Sequence, residues 1–246
     1  MMLITVIVSA QSTTLDRIWQ NGTLAFGLDP RNLPFSMEEG DRHGFDFEIA
    51  EKMAGHLDVH FKPYWSRFQH PSLPSRLLKK ACDGLIGLPA ESLADKKGID
   101  FTAPYLGAGF VLAVRRGEKS VSDLADLKGK TVGIETGVLI QKLQGHVPRE
   151  YPSQTAILTA VDKGEVPVGY VGSMQAGWLL KNHPEWRVEL VKNFIPEDRW
   201  NLAIAVRKED VELKAALNKV IQQMLDNGEI ETILKKYGVP FYPPFK

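Results

Sequence analysis

From residue 16 onward, short apolar runs alternate with segments of helical spacing, and this alternation constrains the fold more than any other feature of the chain. A strand buried on both faces reads as a brief apolar run. A helix packed on a sheet shows apolar residues three and four apart. Thr23-Leu24-Ala25-Phe26-Gly27-Leu28 is such a run, closed by Asp29-Pro30. Residues 45–57 place Phe45, Ile49 and Met53 on one helical face, with Ala50 and Leu57 on its flank. Residues 56–64 alternate polar and apolar as a strand does. Residues 73–81 predict a short helix with Pro74 in its first turn, where proline is tolerated. Leu85-Ile86-Gly87-Leu88 is the third strand. This βαβαβ order predicts an α/β fold with mainly parallel sheets and right-handed crossovers.

The second half of the pattern predicts a second lobe. A long strand over 109–115 carries the chain away from the first sheet, and a tight turn over 124–129 precedes Thr131-Val132-Gly133-Ile134. Helices are expected over 138–144 and 153–163, the latter with Ser153 as N-cap and Gly164 just past its end. A strand over 166–171 and a helix over 173–181 follow. Asn201-Leu202-Ala203-Ile204-Ala205-Val206 is a strand able to return to the first lobe. Residues 210–237 then form two helices broken at Asn227-Gly228, and the proline-rich 240–246 is expected to be extended. The chain thus leaves lobe 1 near Gly107-Ala108-Gly109 and returns near Asn201. The expected division is 16–110 and 201–246 for lobe 1 and 111–200 for lobe 2, with two hinge crossovers and a cleft between. In open α/β sheets ligands bind beyond the carboxyl ends of strands.

Composition excludes several classes. With 43% hydrophobic and 24% charged residues the chain is neither disordered nor fibrous. Thirty basic and thirty acidic residues cancel, so no global field draws it to nucleic acid or anionic lipid, and no nucleic-acid partner is expected. Cys82 is the only cysteine, so no internal disulfide forms, and its place before an apolar strand predicts a buried thiol. Leu3 to Ala10 is apolar with small residues at Ser9 and Ala10, so residues 1–12 read as a short or truncated export signal; the alternative is a first strand of the fold. No other stretch approaches the ~18 apolar residues that span a bilayer. The mature protein is therefore expected to be soluble. His56 and His60 are four apart but straddle a helix end and a strand start, so no metal site is expected. No Ser-His-Asp order, catalytic carboxylate pair or phosphate loop stands out, and neither catalysis nor a cofactor is expected.

Four segments carry a family resemblance: Gly44-Phe45-Asp46-Phe47-Glu48-Ile49-Ala50, Cys82-Asp83-Gly84-Leu85-Ile86-Gly87, Asp100-Phe101-Thr102-Ala103-Pro104-Tyr105 and Leu127-Lys128-Gly129-Lys130-Thr131-Val132-Gly133. In order and spacing, from about residue 23 to 238, they resemble the extracytoplasmic solute-binding proteins of the polar amino-acid family, family 3. The resemblance implies a two-lobed type II periplasmic binding protein fold, a small molecule in the interlobe cleft, a periplasmic location, a monomer and no enzymatic activity. Three departures bear on the ligand. The arginine that clamps the ligand carboxylate in this family falls at Asp95, the aspartate that takes its ammonium at Gly172, and the helix-start threonine at Val138. Loss of one charge-assisted pair at partial burial is worth roughly 2–5 kcal/mol, so a standard α-amino acid is not the expected ligand.

A narrower resemblance rests on Asp29-Pro30-Arg31-Asn32-Leu33-Pro34-Phe35-Ser36, Gly172-Ser173-Met174-Gln175-Ala176-Gly177-Trp178 and Tyr237-Gly238-Val239-Pro240. These are similar to segments of binding-protein-like proteins that accompany quinoprotein methanol dehydrogenases, although the second lacks that group's Trp and Pro. It implies an accessory of a periplasmic PQQ-dependent alcohol or methanol dehydrogenase, the leading expectation. The alternatives are the receptor of an ABC permease for a polar, amino-acid-like solute and, last, an enzyme of the cyclohexadienyl-dehydratase-like kind.

The candidate ligand-binding residues lie at or near strand ends: Asp29, Asn32, Phe35, Trp65, Gly87, Pro89, Tyr105, Glu135, Thr136, Gly172 and Ser173. Phe35, Trp65 and Tyr105 are expected as aromatic cleft walls, with at least one packing beneath the rim. Asp29 is either a ligand contact or the residue that forms the turn before Pro30. Gly133-Ile134-Glu135-Thr136-Gly137 reads as a cleft-lining strand-to-helix turn and not as a nucleotide loop. Ser173 is a helix N-cap or a ligand contact.

Overall fold

The computed structural model describes residues 12–68, 72–90, 92–93, 97–137, 145–191 and 198–246. All but Ser12 of the export signal expected over 1–12, Asp95, and Val138 with the helix expected over 138–144 lie outside the described residues. The chain opens with α1 (Thr14–Asn21), fixed by a capping box in which Thr13 Oγ1 accepts the Asp16 N–H while the Asp16 carboxylate accepts the Thr13 N–H. Then come β1 (Thr23–Leu28), the short ribbon β2 (Arg31–Asn32) and β3 (Ser36–Met37), α2 (Phe45–His56), β4 (His60–Trp65), α3 (Leu73–Leu78), β5 (Gly84–Pro89), β6 (Ile99–Phe101) and the long β7 (Leu106–Arg115). They are followed by β8 (Thr131–Glu135), β9 (Val147–Tyr151), α4 (Gln154–Lys163), β10 (Val168–Gly172), α5 (Ser173–Asn182), β11 (Val188–Leu190), β12 (Arg199–Arg207), α6 (Val211–Asp226) and α7 (Glu229–Tyr237).

The strands run in the order β4-β1-β5-β12-β7-β10-β8-β9. One hydrogen-bonded path thus serves two sheets, because β7 changes partner halfway along. Its Leu106–Gly109 half pairs with β12, and Phe110–Val114 pairs with β10. The expectation of mainly parallel sheets holds only away from the crossing strands, where β1 is parallel to β4 and β5, and β8 to β9 and β10. It fails at the junction. There β7 and β12 are antiparallel to each other, because one strand leaves lobe 1 and the other comes back, and they are also antiparallel to their neighbours in each lobe, β12 to β5 and β6 and β7 to β10 and β11. Two separate cores result. Leu24, Phe26, Ile49, Met53, Ile204, Leu217 and Ile221 belong to one, and Leu112, Val132, Ile157, Val161, Val168 and Val171 to the other. At about 25 cal/mol per Å² of apolar surface removed from water, burying one such side chain stabilises the fold by roughly 1.5–3 kcal/mol.

The extended 240–246 segment lies across both crossing strands. Gly107 N–H donates to Tyr242 O at 2.9 Å, and the Asn201 amide bonds Phe245 at both its carbonyl (2.9 Å) and its N–H (2.8 Å). A Cβ on Gly107 would sit 2.7 Å from the Phe245 ring and 2.8 Å from Pro243 O, so only glycine permits this approach. Below the lobe-1 sheet, Arg207 is 1% exposed and donates to Leu77 O and Cys82 O at 3.0 and 2.7 Å. Its Nη2 stands 2.7 Å from Asp210 Oδ2, off the hydrogen-bond axis, so charge holds this pair together. Cys82 is buried beside it, as expected, and burial pushes its thiol pKa up to about 11.

Candidate functional site

The site is assembled where the lobes face each other. A cavity of 260 Å³ is lined from lobe 1 by Asn32 and Phe35, from the crossing strands by Ala108, Phe110 and Trp200, and from lobe 2 by Gln154, Gly172, Ser173, Met174 and Gln175. Phe110 stacks on Tyr170 (5.1 Å, 14°) and meets Trp200 edge-on (5.8 Å, 67°), which fixes the aromatic floor. The Tyr170 hydroxyl in turn donates to Asp198 Oδ2 at 2.8 Å. A second cavity of 310 Å³, lined by Asp29, Arg31, Asn32, Arg67 and Phe68, shares Asn32 with the first.

The motif around Asp46 positions the lobe-1 wall. Gly44 adopts φ 93° and has no room for a Cβ against the Phe35 carbonyl. The Asp46 N–H donates to Phe35 O, and the Phe45 N–H to Pro34 O, both at 2.9 Å. The start of α2 therefore holds Phe35 toward the cleft. The Asp46 carboxyl points the other way, is 1% exposed, and accepts the Tyr105 hydroxyl at 2.6 Å. Burial raises its pKa to about 7, against the lowering effect of the Tyr105 hydrogen bond. Gly87, at φ 86°, packs directly against this carboxylate, which leaves no space for a side chain.

On the facing lobe, β10 ends at Gly172, which is itself the N-cap of α5 and offers no capping side chain. Ser173 is the first helical residue, so the N-cap alternative for it gives way. It is 2% exposed, and its Oγ has no partner among the described residues; the buried Oε1 of Gln154 has none either. A Cβ on Gly172 would lie 3.2 Å from Gln154 Nε2, so this amide covers the glycine.

Of the expected site residues, the structure brings Asn32, Phe35, Gly172 and Ser173 together around the 260 Å³ cavity. Asp29 faces the 310 Å³ cavity, with its carboxylate taken up by the Arg31 and Phe68 N–H groups at 2.9 Å each, which supports the turn-forming role. Trp65 stacks on Phe47 at 6.1 Å and packs on the lobe-1 core. Tyr105 is fully buried beneath the rim, held there by Asp46, instead of forming a wall. Pro89 pairs with Leu202 at the end of β5, and Glu135 closes β8. The Thr136 N–H and Oγ1 both donate to Tyr151 O. None of Trp65, Gly87, Pro89, Tyr105, Glu135 and Thr136 lines either cavity. Sequence reasoning missed Phe110 and Trp200, which lie within the crossing strands, and Arg31, Arg67 and Gln154. One signal for Phe110 was available: it is the large apolar residue directly after Gly107-Ala108-Gly109.

Comparison with known proteins agrees with this architecture. Residues 24–240 match the family of bacterial extracellular solute-binding proteins, family 3. The chain is 28% identical over 236 residues to the L-cystine-binding protein TcyJ of Escherichia coli (strain K12), covering 93% of this chain and 87% of that protein. It is 27% identical over 222 residues to the arginine-binding extracellular protein ArtP of Bacillus subtilis (strain 168), covering 87% and 85%. The solved structure of an ancestral cationic amino acid solute binding protein, AncCDT-1, superposes with a TM-score of 0.73 at 25% identity, covering 92% of this chain and all of that one. The chain belongs to the bacterial extracellular solute-binding proteins of family 3.

Proposed function

We propose that this protein is the periplasmic receptor of an ABC-type importer for a small, polar, amino-acid-like solute, captured as lobe 1 (16–110 and 201–246) closes on lobe 2 (111–200). One observation carries the reading: the 260 Å³ cavity takes walls from both lobes and its floor from both crossing strands. A solute that touches Phe35 on one side and Ser173 on the other binds the closed form better than the open one. That differential affinity is what moves a two-state equilibrium. The cavity is below the usual span of drug-sized sites, in keeping with a solute of about amino-acid size. Relatives whose names specify cystine and arginine support the same class.

An accessory role beside a PQQ-dependent methanol dehydrogenase has no comparable support. Each segment that suggested it has a local duty here: Asp29 caps the turn before β2, Gly172 caps α5, and Gly238 receives Gly177 of α5 in close approach. A receptor without catalysis also accords with the site. The Asp46 carboxyl, its pKa raised to about 7, is 1% exposed and bonded to the buried Tyr105. Purification from a periplasmic extract followed by native mass spectrometry tests the proposal. The expected result is the chain plus one small molecule. A stoichiometric dehydrogenase subunit on a chain with an empty cleft would overturn it.

A further inference from the structure

We infer that the solute is an amine-free organic anion, with one acceptor group on the first turn of α5 and its charged end toward Arg31 and Arg67. This rests on the receptor reading above and narrows it. The first turn of a helix leaves N–H groups without intrahelical partners and carries partial positive charge. In the ten-residue α5 no side chain caps these groups, and Gly172, Ser173, Met174 and Gln175 line the cleft. An independent observation marks the place as a site: the Ser173 Oγ is buried in the cavity wall and makes no hydrogen bond among the described residues. Buried hydroxyls in native proteins are almost always partnered, and one that is not awaits a group the protein does not supply. Ser173 Oγ and the α5 N–H groups together fit a carboxylate or a carbonyl oxygen.

Charge around the cleft points the same way. No described residue lining the 260 Å³ cavity is charged. Among the described residues, the nearby carboxylates are engaged: Asp29 by two backbone N–H groups, Asp198 by the Tyr170 hydroxyl, and Asp46 by the buried Tyr105. Past the shared Asn32, the exposed Arg31 and Arg67 border the 310 Å³ cavity, and neither guanidinium forms an ion pair among the described residues. Glu38 and Glu39 line an adjoining 130 Å³ hollow with the same arginines, without pairing to them. Among the described residues, an ammonium at the α5 end of the cleft would meet a positive helix end and no carboxylate of the cavity wall, and in the 310 Å³ cavity it would meet two guanidiniums beside Asp29, whose oxygens already accept two N–H groups. An anion meets donors at both ends, and Phe35, Phe110 and Trp200 receive its apolar body. A 2-oxo acid carries these features.

Matched pairs that differ in the amine test this directly: phenylpyruvate against L-phenylalanine, and 2-oxoglutarate against L-glutamate, by titration calorimetry on the full chain. The expected result is an oxo acid bound at least about tenfold more tightly than its amino-acid twin, since a tenfold change is the scale of one modest interaction. Ser173→Ala should weaken that oxo acid about fivefold or more while thermal stability holds. Gly172→Asp places a carboxylate at the start of α5, at an unstrained φ of −64° with the Gln154 amide end giving way slightly, and should shift preference toward the amine. An amino acid bound more tightly than its oxo twin by the unaltered protein would overturn this inference and leave the receptor reading standing. Absence of binding by both oxo acids would overturn it as well, and the receptor reading falls with it only if the purified chain also retains no small molecule in native mass spectrometry.

Discussion

Replacing Asp46 with asparagine should leave stability almost unchanged near pH 4 and raise it above neutral pH. Asp46 is 1% exposed with its carboxyl 2.6 Å from the Tyr105 hydroxyl, and burial raises its pKa from 3.8 to about 7 in the folded protein. Below pH 4 both folded and unfolded chains hold this proton. Between pH 4 and 7 the folded chain keeps it while the unfolded chain has released it, so each pH unit lowers stability by about 1.4 kcal/mol. Across some three units the loss totals about 4 kcal/mol, all of it in place by pH 8. Asparagine keeps the shape and offers Tyr105 an acceptor, but it has no proton to lose. Urea denaturation of the wild type and D46N from pH 4 to 8 isolates the effect, because every other titrating group cancels in the difference. The stability difference should grow by about 4 kcal/mol in favour of D46N. A difference that stays flat, or that turns against the variant as pH rises, would mean that the native carboxyl is charged and well solvated, and the reasoning fails.

Three further outcomes follow from the packing. Gly107→Val drives a side chain into Phe245 and Pro243 and should cost about 1–3 kcal/mol of stability, with residues 240–246 becoming more susceptible to limited proteolysis. Arg207→Met strands Asp210 in the core and should cost about 3–5 kcal/mol in chemical denaturation; a loss under about 1 kcal/mol would show that the pair is wetter than its burial indicates. The Cys82 thiol, buried and shifted to about 11, should resist aromatic disulfide reagents at pH 8 until the chain unfolds, and rapid labelling of the native protein would contradict its place in the core.

Much of the fold was legible because its strands are buried on both faces and its helices carry one apolar stripe. For α4 even the ends were readable, with Ser153 accepting the Ala156 N–H and Gly164 in the left-handed conformation. Elements with little to bury left weaker signals. β9 is an exposed edge strand with no apolar run, and α1 buries only Leu15 and Ile18, although its Thr13 and Asp16 spelled out the capping box. Within the site, the rule that ligands sit beyond strand ends found Asn32, Phe35, Gly172 and Ser173. It missed Phe110 and Trp200, which face the cleft from inside β7 and β12, since only the pairing of the crossing strands brings them there. Tyr105 was misplaced for a related reason. Its burial depends on Asp46, 59 residues away, and no local pattern encodes that bond.

A receptor of this kind works by closure of its two lobes about β7 and β12 around a small solute. Small-angle X-ray scattering, recorded as the protein is titrated with the solute retained on purification, tests this most directly. The radius of gyration should fall in step with calorimetric saturation. A solute bound to saturation with no change in the scattering curve would contradict it.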